Sequence, residues 1–390
     1  MSEQNTRAAR RKKKKGSSGL MGTLSVLAAF IRPKKHTNEK PSKAELKKRW
    51  KKGTVGHILL SVLTVILAIL AAVYALLAVA FLGPSPAFST KLANTLLETS
   101  AMQFVPKLYL SDEEIQQIIE GNSVLETNEE TDVSLIVISR ATPAPDGTIP
   151  EDDGGDAQAD EEELQLVDIR GGTYTGYALI VKDPSRVFVG TCADSFSVLP
   201  GLTLDKLAQR YHATAAINAG GFSDNNGQGN GGTPLGLVIS QGRLKANNAN
   251  LAKYNTVIGF DSSDRLIIGH MDVEQAKARG IRDAVAFGPV LVRNGEAADV
   301  SGQSSGLNPR TCIGQRADGA VILMVIDGRQ PNSLGASFEN LIQEMLALGA
   351  VNAANMDGGS SSFMYYNGKY MNNGFAIVGA REIPTAFCVK

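Results

Sequence analysis

Residues 321–368 read VILMVIDGRQPNSLGASFENLIQEMLALGAVNAANMDGGSSSFMYYNG, and this stretch carries the strongest fold signal in the chain. The unbroken apolar run Val321–Ile326 predicts a buried strand. A Ser cap at Ser337, followed by apolar residues at helical spacing up to Gly349, predicts a helix. A second strand is predicted at Val351–Met356, so the stretch indicates a β-α-β unit with parallel pairing.

Outward from this unit, residues 164–390 are dominated by short strand-like runs bounded by Gly or Asn. The runs are Tyr177–Val181, Val187–Val189, Thr214–Ile217, Gly236–Ile239, Thr256–Phe260, Leu266–Gly269, Val321–Ile326 and Phe363–Tyr366. Two helices are predicted among them, at Thr203–Tyr211 and Ser337–Leu348. We therefore expect an α+β domain, a mixed twisted β-sheet with few helices, preceded by one transmembrane helix and a helical stalk.

Ahead of the domain lies an uncharged apolar segment of 25 residues, Ile58–Leu82. At about 1.5 Å per helical residue it is long enough to cross a hydrocarbon core of roughly 30 Å. Five Lys and Arg residues lie in 47–52, just before the segment, and such residues remain on the cytoplasmic side. We therefore expect a single-pass cell-membrane protein with a cytoplasmic N-terminus and an extracytoplasmic catalytic domain.

The expected organisation follows from these boundaries. Pro106 and the SDEE sequence at Ser111–Glu114 predict a stalk of two helical pieces, the second with a capping box, whereas Val133–Ser139 is strand-like. The predicted regions are a basic cytoplasmic tail (1–56), a transmembrane anchor (57–83), a largely helical stalk (84–140), an acidic disordered linker (141–163) and the main domain (164–390).

Composition limits the class of protein. Apolar residues make up 43% and charged residues 20%, as in soluble globular domains. Residues 1–52 contain 17 Lys and Arg against three Glu, which leaves residues 53–390 with 22 basic and 36 acidic groups. The basic run RRKKKK at 10–15 comes without any nucleic-acid recognition fold, so we expect contact with a membrane surface and none with nucleic acid. The three cysteines are too few for a disulfide framework, and buried thiols are expected.

Polar residues follow three of the predicted strands, where ligand crevices commonly open. Asn218 ends AAIN and is followed by Gly220 and Gly221, while Asp327 and Asp357 follow the two strands of the β-α-β unit. If those strands are parallel, both carboxylates lie at one edge of the sheet. Such a pair can act as general acid and general base, or it can chelate a divalent cation. A third interpretation is that each Asp only caps a turn, and the residues do not decide among the three.

Groups suited to a phosphate lie in the same loops. The sequence GGSSS at 358–362 supplies closely spaced amides and hydroxyls, and a guanidinium binds an oxyanion bidentately. Arginines at Arg310, Arg329 and Arg381 lie beside the candidate elements. The sequence shows no Walker A or HExxH motif.

Taken together, AAINAGGF at 215–222, GPVLVRNG at 288–295, NPRTCIGQRADGAVILMVIDGRQ at 308–330, NMDGGSSSFMYYNGK at 355–369 and REIPTAF at 381–387 resemble the phosphodiester glycosidase family. The resemblance covers roughly 164–390 and implies hydrolysis of a sugar-1-phosphodiester between the anomeric carbon and the phosphate. It implies catalytic roles for Asp357, Asp327 and Asn218, and substrate-binding roles for Gly220, Gly221, Arg310, Arg329, Gly358, Gly359, Ser360, Ser361 and Arg381. Two turns depart from the family pattern, NAGGF and DGGSSS, which bears on substrate identity more than on reaction type.

The expected substrate is a sugar phosphodiester or polysaccharide in cell-wall or exopolysaccharide metabolism, with the membrane contacted through residues 58–82. Two alternatives remain at this stage. The first is a noncatalytic sugar-phosphate binding or polysaccharide assembly module, which would use the same arginine and glycine loops. The second is a metal-dependent phosphodiesterase that cleaves the P–O bond. No cofactor is assigned, and metal dependence is left open between no metal and a divalent cation.

Overall fold

The computed structural model describes residues 42–99, 102–121, 129–138, 163–196, 200–223, 230–248, 256–300, 306–372 and 380–390. The chain divides into two compact units, residues 1–72 and 73–390. Residues 1–41 of the predicted tail and 141–162 of the predicted linker lie outside the described residues.

Six helices occur in the described residues. They are α1 (Lys43–Leu82), α2 (Pro86–Leu97), α3 (Asp112–Gly121), α4 (Leu204–Tyr211), α5 (Val273–Ala278) and α6 (Phe338–Ala347). Within α1, the 29 residues Thr54–Leu82 are long and apolar enough to cross a membrane. Nearly all side chains of that segment are exposed, unlike those of a core helix in a globular protein.

Seventeen strands occur in the described residues and form three sheets, in which every recorded pairing is antiparallel. In chain order, β1–β17 are Leu164–Arg170, Thr175–Val181, Val187–Thr191, Ala215–Asn218, Gly236–Ser240, Arg243–Asn248, Thr256–Asp261, Leu266–His270, Ile281–Ala286, Val290–Arg293, Glu296–Ala297, Arg310–Arg316, Val321–Ile326, Ala350–Asn355, Met364–Tyr366, Lys369–Tyr370 and Thr385–Val389. The sheet orders are β1-β2-β13-β12-β14-β10-β11, β16-β15-β4-β17-β3 and β6-β5-β9-β7-β8. The predicted α+β class is confirmed.

The three sheets share one core. Their inner faces meet in a cluster that contains Val325 of β13, Ile217 of β4 and Ile258 of β7. On the outer faces, α6 covers the first sheet, α4 the second and α5 the third. Both faces of β13 are therefore buried: Val325 points into the central core and Met324 into the cluster beneath α6. This explains why the strand is apolar at every position.

The predicted parallel pairing within the β-α-β unit is wrong. Strand β12 lies between β13 and β14 and pairs antiparallel with each, through Arg310↔Ile326 on one side and Cys312↔Asn355 on the other. Strands β13 and β14, on either side of β12, still run parallel to each other at a distance of two strand spacings, or roughly 10 Å. Their carboxyl ends therefore lie at the same edge, and the inserted strand brings its first residue, Arg310, to that edge as well.

The predicted capping box is present at the start of α3, in the residues interpreted from the sequence as a stalk. The amide of Ser111 donates to Glu114 Oε2 at 2.8 Å, and the amide of Glu114 donates to Ser111 Oγ at 3.2 Å, at the start of α3. The strand predicted at Val133–Ser139 is wrong, since Val133–Leu135 forms a 3₁₀ turn. This segment is attached to the sheets instead, because the amide of Val137 donates to the carbonyl of Ala317 at 2.8 Å.

Cys192, Cys312 and Cys388 are buried free thiols. Each belongs to an apolar cluster beneath a helix. Burial raises the pKa of all three thiols, which makes them unreactive packing residues.

Candidate active site

Two of the three predicted loops meet directly. Asn218 is the last residue of β4, and its Nδ2 donates to the carbonyl of Asp357 at 2.6 Å. In return, the amide of Asp357 donates to the carbonyl of Ala219 at 3.0 Å. The loop after β14 is thereby fixed to the end of β4, although the two strands belong to different sheets.

All polar atoms of the Asn218 side chain bond to residues around the contact between β4 and the Asp357 loop. Its Oδ1 accepts from Thr311 Oγ1 at 2.7 Å and from the amide of Phe363 at 3.3 Å, and the residue is 1% exposed. With both ends of the amide bonded inward, Asn218 is placed to position Asp357. The side chain does not face solvent.

Asp327 is connected to the Asp357 loop through the side chain of Asn372. Asn372 Nδ2 donates to Asp327 Oδ1 at 3.1 Å and to the carbonyl of Ser362 at 2.9 Å. Burial raises the pKa of Asp327, and the bond from Asn372 only partly opposes that shift. The structure thus brings both Asp residues to one edge of the sheets, with Asp327 in the drier environment and Asp357 partly exposed.

Arg310 begins β12 between the two Asp-bearing strands and is 6% exposed. Its Nη2 donates to the carbonyl of Gly306 at 3.1 Å, and its Nε donates to the carbonyl of Ala336 at 3.3 Å. The guanidinium carbon lies 4.5 Å from the ring centroid of Phe338 at the start of α6. Arg310 is therefore a rigid, largely dehydrated cation.

Arg329 lies in a strained turn after β13, with φ of 58°. Its Nη2 donates to Asn308 Oδ1 at 2.9 Å, while its buried Nε has no hydrogen-bond partner among the described residues. Burial and the neighbouring Arg310 lower the pKa of Arg329, and Glu98 opposes that shift. Two cations therefore share one small, poorly solvated volume.

A carboxylate from the stalk enters this volume. Glu98 caps the end of α2, and its Oε2 lies 3.3 Å from Arg310 Nη2 and accepts a short hydrogen bond from Asn308 Nδ2. The carbonyl of Glu98 also accepts from Arg329 Nη2 at 3.3 Å. We call Glu98, Asn308, Arg310 and Arg329 the arginine cluster.

The glycines after Asp357 adjoin this cluster. A Cβ on Gly358 would lie 3.0 Å from the carbonyl oxygen of Pro309, and one on Gly359 would lie 3.5 Å from the terminal nitrogens of Arg329. Gly359 also has a φ of +63°, which favours glycine. These two positions let the Asp357 loop pass closely between the arginines.

The predicted amide cradle at 358–362 is largely occupied by internal bonds. The amides of Gly359, Ser361 and Ser362 donate to the carbonyls of Pro309, Gly358 and Gly359, respectively. Ser361 itself is 3% exposed. Arg381 reaches this loop, since its Nη1 donates to Ser360 Oγ at 3.4 Å, and it also lies over the ring of Phe222.

The predicted binding glycines after β4 are buried in packing. A Cβ on Gly220 would lie 3.0 Å from Val285 Cβ, and one on Gly221 would lie 3.1 Å from the ring of Phe287. The structure therefore places Gly220 and Gly221 where the second and third sheets approach each other. No open ligand surface is formed by these two residues.

Sequence reasoning missed the residues that connect the site. Asn308 and Thr311 flank Arg310 in the sequence and could have been included on proximity alone. Asn372 and Glu98 carry no local motif, since each acts only through contacts with residues far away in the chain. In the part of the chain that the structure describes, no group of three or more His, Cys, Asp or Glu is placed to hold a metal ion.

Parts of the chain are similar to known proteins in sequence and in fold. Residues 211–390 match the sequence model of the phosphodiester glycosidase family. Over 199 residues the chain is 30% identical to the SPbeta prophage-derived uncharacterized protein YomE of Bacillus subtilis (strain 168), covering 49% of this chain and 29% of that protein. Over 223 residues it is 26% identical to the N-acetylglucosamine-1-phosphodiester alpha-N-acetylglucosaminidase of Mus musculus, covering 51% of this chain and 41% of the enzyme.

The chain thus spans less than half the length of these curated relatives. Among solved structures, it resembles the zebrafish N-acetylglucosamine-1-phosphodiester alpha-N-acetylglucosaminidase catalytic domain auto-inhibited by pro-peptide, with a TM-score of 0.48 and 22% identity over 58% of this chain and 81% of that one. The resemblance noted from the motifs is confirmed by the match of residues 211–390 to the sequence model of the phosphodiester glycosidase family.

Proposed function

We propose that this protein hydrolyses a sugar-1-phosphodiester, adding water across the bond between the anomeric carbon and the phosphate oxygen and releasing a phosphomonoester. The observation that carries the proposal is the binding of an oxyanion by Arg310 and Asn308 beside the Asp357 loop. In the structure that oxyanion is the carboxylate of Glu98, held by Arg310 and Asn308.

The cluster supports phosphate binding on electrostatic grounds. Arg310 and Arg329 bring two positive charges against the one carboxylate of Glu98, and the Nε of Arg329 is buried without a partner among the described residues. A buried donor without an acceptor is costly, and an anionic ligand near it would relieve that cost. We therefore assign the phosphate to the side of the site that contains these arginines.

The two carboxylates can divide the remaining chemistry. A phosphate leaves as a stable anion, so its departure demands less protonation than that of an ordinary sugar alcohol. In our proposal Asp357, the more accessible of the two, activates water or stabilises positive charge on the sugar. Asp327 is the proton donor, because burial raises the pKa of its carboxyl. Asn218 acts as a positioning residue for Asp357.

We further propose that the segment Thr54–Leu82 anchors the chain in a cell membrane with the hydrolase domain on the extracytoplasmic side. Support comes from the length of this apolar segment and from the Lys and Arg residues that precede it. An extracytoplasmic position favours a cell-wall polymer or an exopolysaccharide as the larger part of the substrate.

The test is sugar release by the full chain from a synthetic glycosyl methyl phosphate in ¹⁸O-labelled water. We expect the label in the released sugar, and label in the phosphate would instead indicate a phosphodiesterase. Asp357→Asn should lower the rate by about 10²-fold or more. Asp318→Asn, at an exposed surface position, is the matched control.

The same experiment separates an enzyme from a binding module. Substrate binding without sugar release by the unmodified chain would favour the noncatalytic alternative. Unchanged turnover in a folded Asp357→Asn variant would refute the role assigned to that residue.

A further inference from the structure

The segment 102–110 folds back along the last turns of α1. Tyr109 Oη donates to the carbonyl of Tyr74 at 3.1 Å. The Tyr109 ring stacks on Phe81 with centroids 5.1 Å apart and an interplanar angle of 11°. Tyr74 precedes Leu82, the end of α1, by eight residues, or about 12 Å of helix. The segment therefore lies beside the final 12 Å or so of the helix.

This segment exposes large apolar side chains. Met102 is 46% exposed, Phe104 is 58% exposed and Leu108 is 53% exposed, whereas Val105 packs inward against Phe81 at 8% exposure. Among the described residues after 163, only Leu244 and Leu334 are large apolar side chains with comparable exposure. Leu135 and Val137, in the segment attached to the sheets, are also exposed, but residues 102–110 carry three such side chains within seven positions beside the end of α1.

The depth of the segment indicates which partner covers it. The 25 apolar residues of α1 extend for about 37 Å, against a hydrocarbon core of roughly 30 Å, so the last turns reach the interface with the lipid headgroups. Tyr109, which contacts both Tyr74 and Phe81, therefore lies between the outer part of the hydrocarbon core and the headgroups. Lys107 lies in the same segment, where a cation suits lipid phosphates.

A cavity beside the segment is consistent with a lipid neighbour. Its volume is about 720 Å³, and its walls include Phe81, Leu82, Pro86 and Ile118. It lies between the end of α1, the start of α2 and one side of α3, and polar side chains also line it, which suits the boundary between acyl chains and headgroups; these are Ser89, Thr90, Glu114 and Gln117. Cavities of this size hold lipid-sized and drug-sized ligands.

We propose that residues 102–110 form an interfacial loop that inserts Met102, Phe104 and Leu108 into the outer leaflet of the membrane. This inference rests on the membrane anchoring proposed above. Because α2 runs for 12 residues, or about 18 Å, from the membrane end to Glu98 in the arginine cluster, the loop also holds the candidate active site close to the lipid surface. The site then acts on phosphodiesters presented near the membrane.

The test uses the full chain in phosphatidylcholine–phosphatidylglycerol vesicles whose acyl chains are brominated. The only tryptophan is first removed by Trp50→Phe, and single reporters are introduced as Phe104→Trp or Leu108→Trp. Val79→Trp reports on the helix at the same depth, and Leu244→Trp is a similarly exposed control on β6. Circular dichroism of each variant confirms that the fold is retained.

We expect bromolipid to quench the reporters at 104 and 108 nearly as strongly as the one at 79, with no quenching at 244. Quenching at 79 without quenching at 104 and 108 would overturn the interfacial loop and leave the anchor intact, including the case in which a second copy of the chain covers these residues. Absence of quenching at 79 would refute the anchor and, with it, this inference.

Discussion

Under the proposed function, Glu98→Gln is expected to strengthen binding of the phosphodiester substrate. In the structure the carboxylate of Glu98 is held by Arg310 and Asn308, and a phosphodiester bound by the same arginine must displace it. Glutamine keeps the size of the side chain and removes its charge. The variant should therefore lower KM and leave kcat unchanged, because in the proposed reaction Glu98 competes with the substrate for Arg310 and takes no part in the bond-breaking step.

The magnitude follows from the geometry of the ion pair. Opposite charges about 4 Å apart interact by about 4 kcal/mol at the dielectric of a protein surface. The Glu98 side chain is 39% exposed, against 7% for Arg310, so solvent screening reduces that figure. A net effect of about 1.4 kcal/mol corresponds to a roughly tenfold lower KM.

The assay measures reducing sugar released from glycosyl methyl phosphate as substrate concentration is varied. Glu113→Gln, an exposed carboxylate of the stalk helix α3, is the control and should leave KM unchanged. A KM that stays constant or rises in Glu98→Gln would refute the reasoning, because Glu98 would then be neutral or would assist binding.

Three further variants test other parts of the structure. Burial raises the pKa of Asp327, so ionisation of this carboxyl lowers the stability of the folded state as pH rises. Asp327→Asn removes this effect and should raise the free energy of unfolding more at pH 7 than at pH 4. Equal changes at both pH values, measured by urea titration, would contradict this prediction. Asp283→Ala removes a buried ion pair and two hydrogen bonds that Asp283 accepts, one from the amide of Val189 in β3 and one from the amide of Gln241 just after β5. It should cost about 3–5 kcal/mol, against about 0–1 kcal/mol for the surface control Asp318→Ala. Gly359→Ala should cost about 1–2 kcal/mol because of its positive φ and lower activity through Arg329, whereas Gly172→Ala, with open space around it, should leave Tm and activity unchanged.

Local sequence patterns predicted the helix caps and the buried strand, because each depends on only a few consecutive residues. The cap at Ser337 and the capping box at Ser111 appear where the sequence places them, because a cap depends on residues within one turn. The strand Val321–Ile326 has the predicted bounds, since six consecutive apolar residues have no favourable solvent-exposed arrangement. Strand β12 was missed because Arg310–Arg316 mixes polar and apolar residues, and its paired neighbours determine its burial.

In the candidate site, too, some residues were predictable from the sequence and some contacts were not. Asp327 and Asp357 were identified from their positions after apolar strands, and the structure brings them to one edge. The contacts through Asn372 and Glu98 were not predictable, since hydrogen bonds between residues 45 or 210 positions apart leave no periodic trace in the chain. The placement of Asn218 as a positioning residue likewise became visible only from its three inward bonds.

By itself, the sequence determined the apolar segment long enough to cross a membrane, the α+β character of the domain and the resemblance of roughly 164–390 to the phosphodiester glycosidase family, because these depend on local composition and ordered motifs. Tertiary structure alone decided that β12 separates the two Asp-bearing strands and that the stalk places Glu98 against Arg310. The physical reason is that the choice of strand neighbour and ion-pair partner is made by packing across the whole fold, where residues distant in the chain compete for the same buried surface.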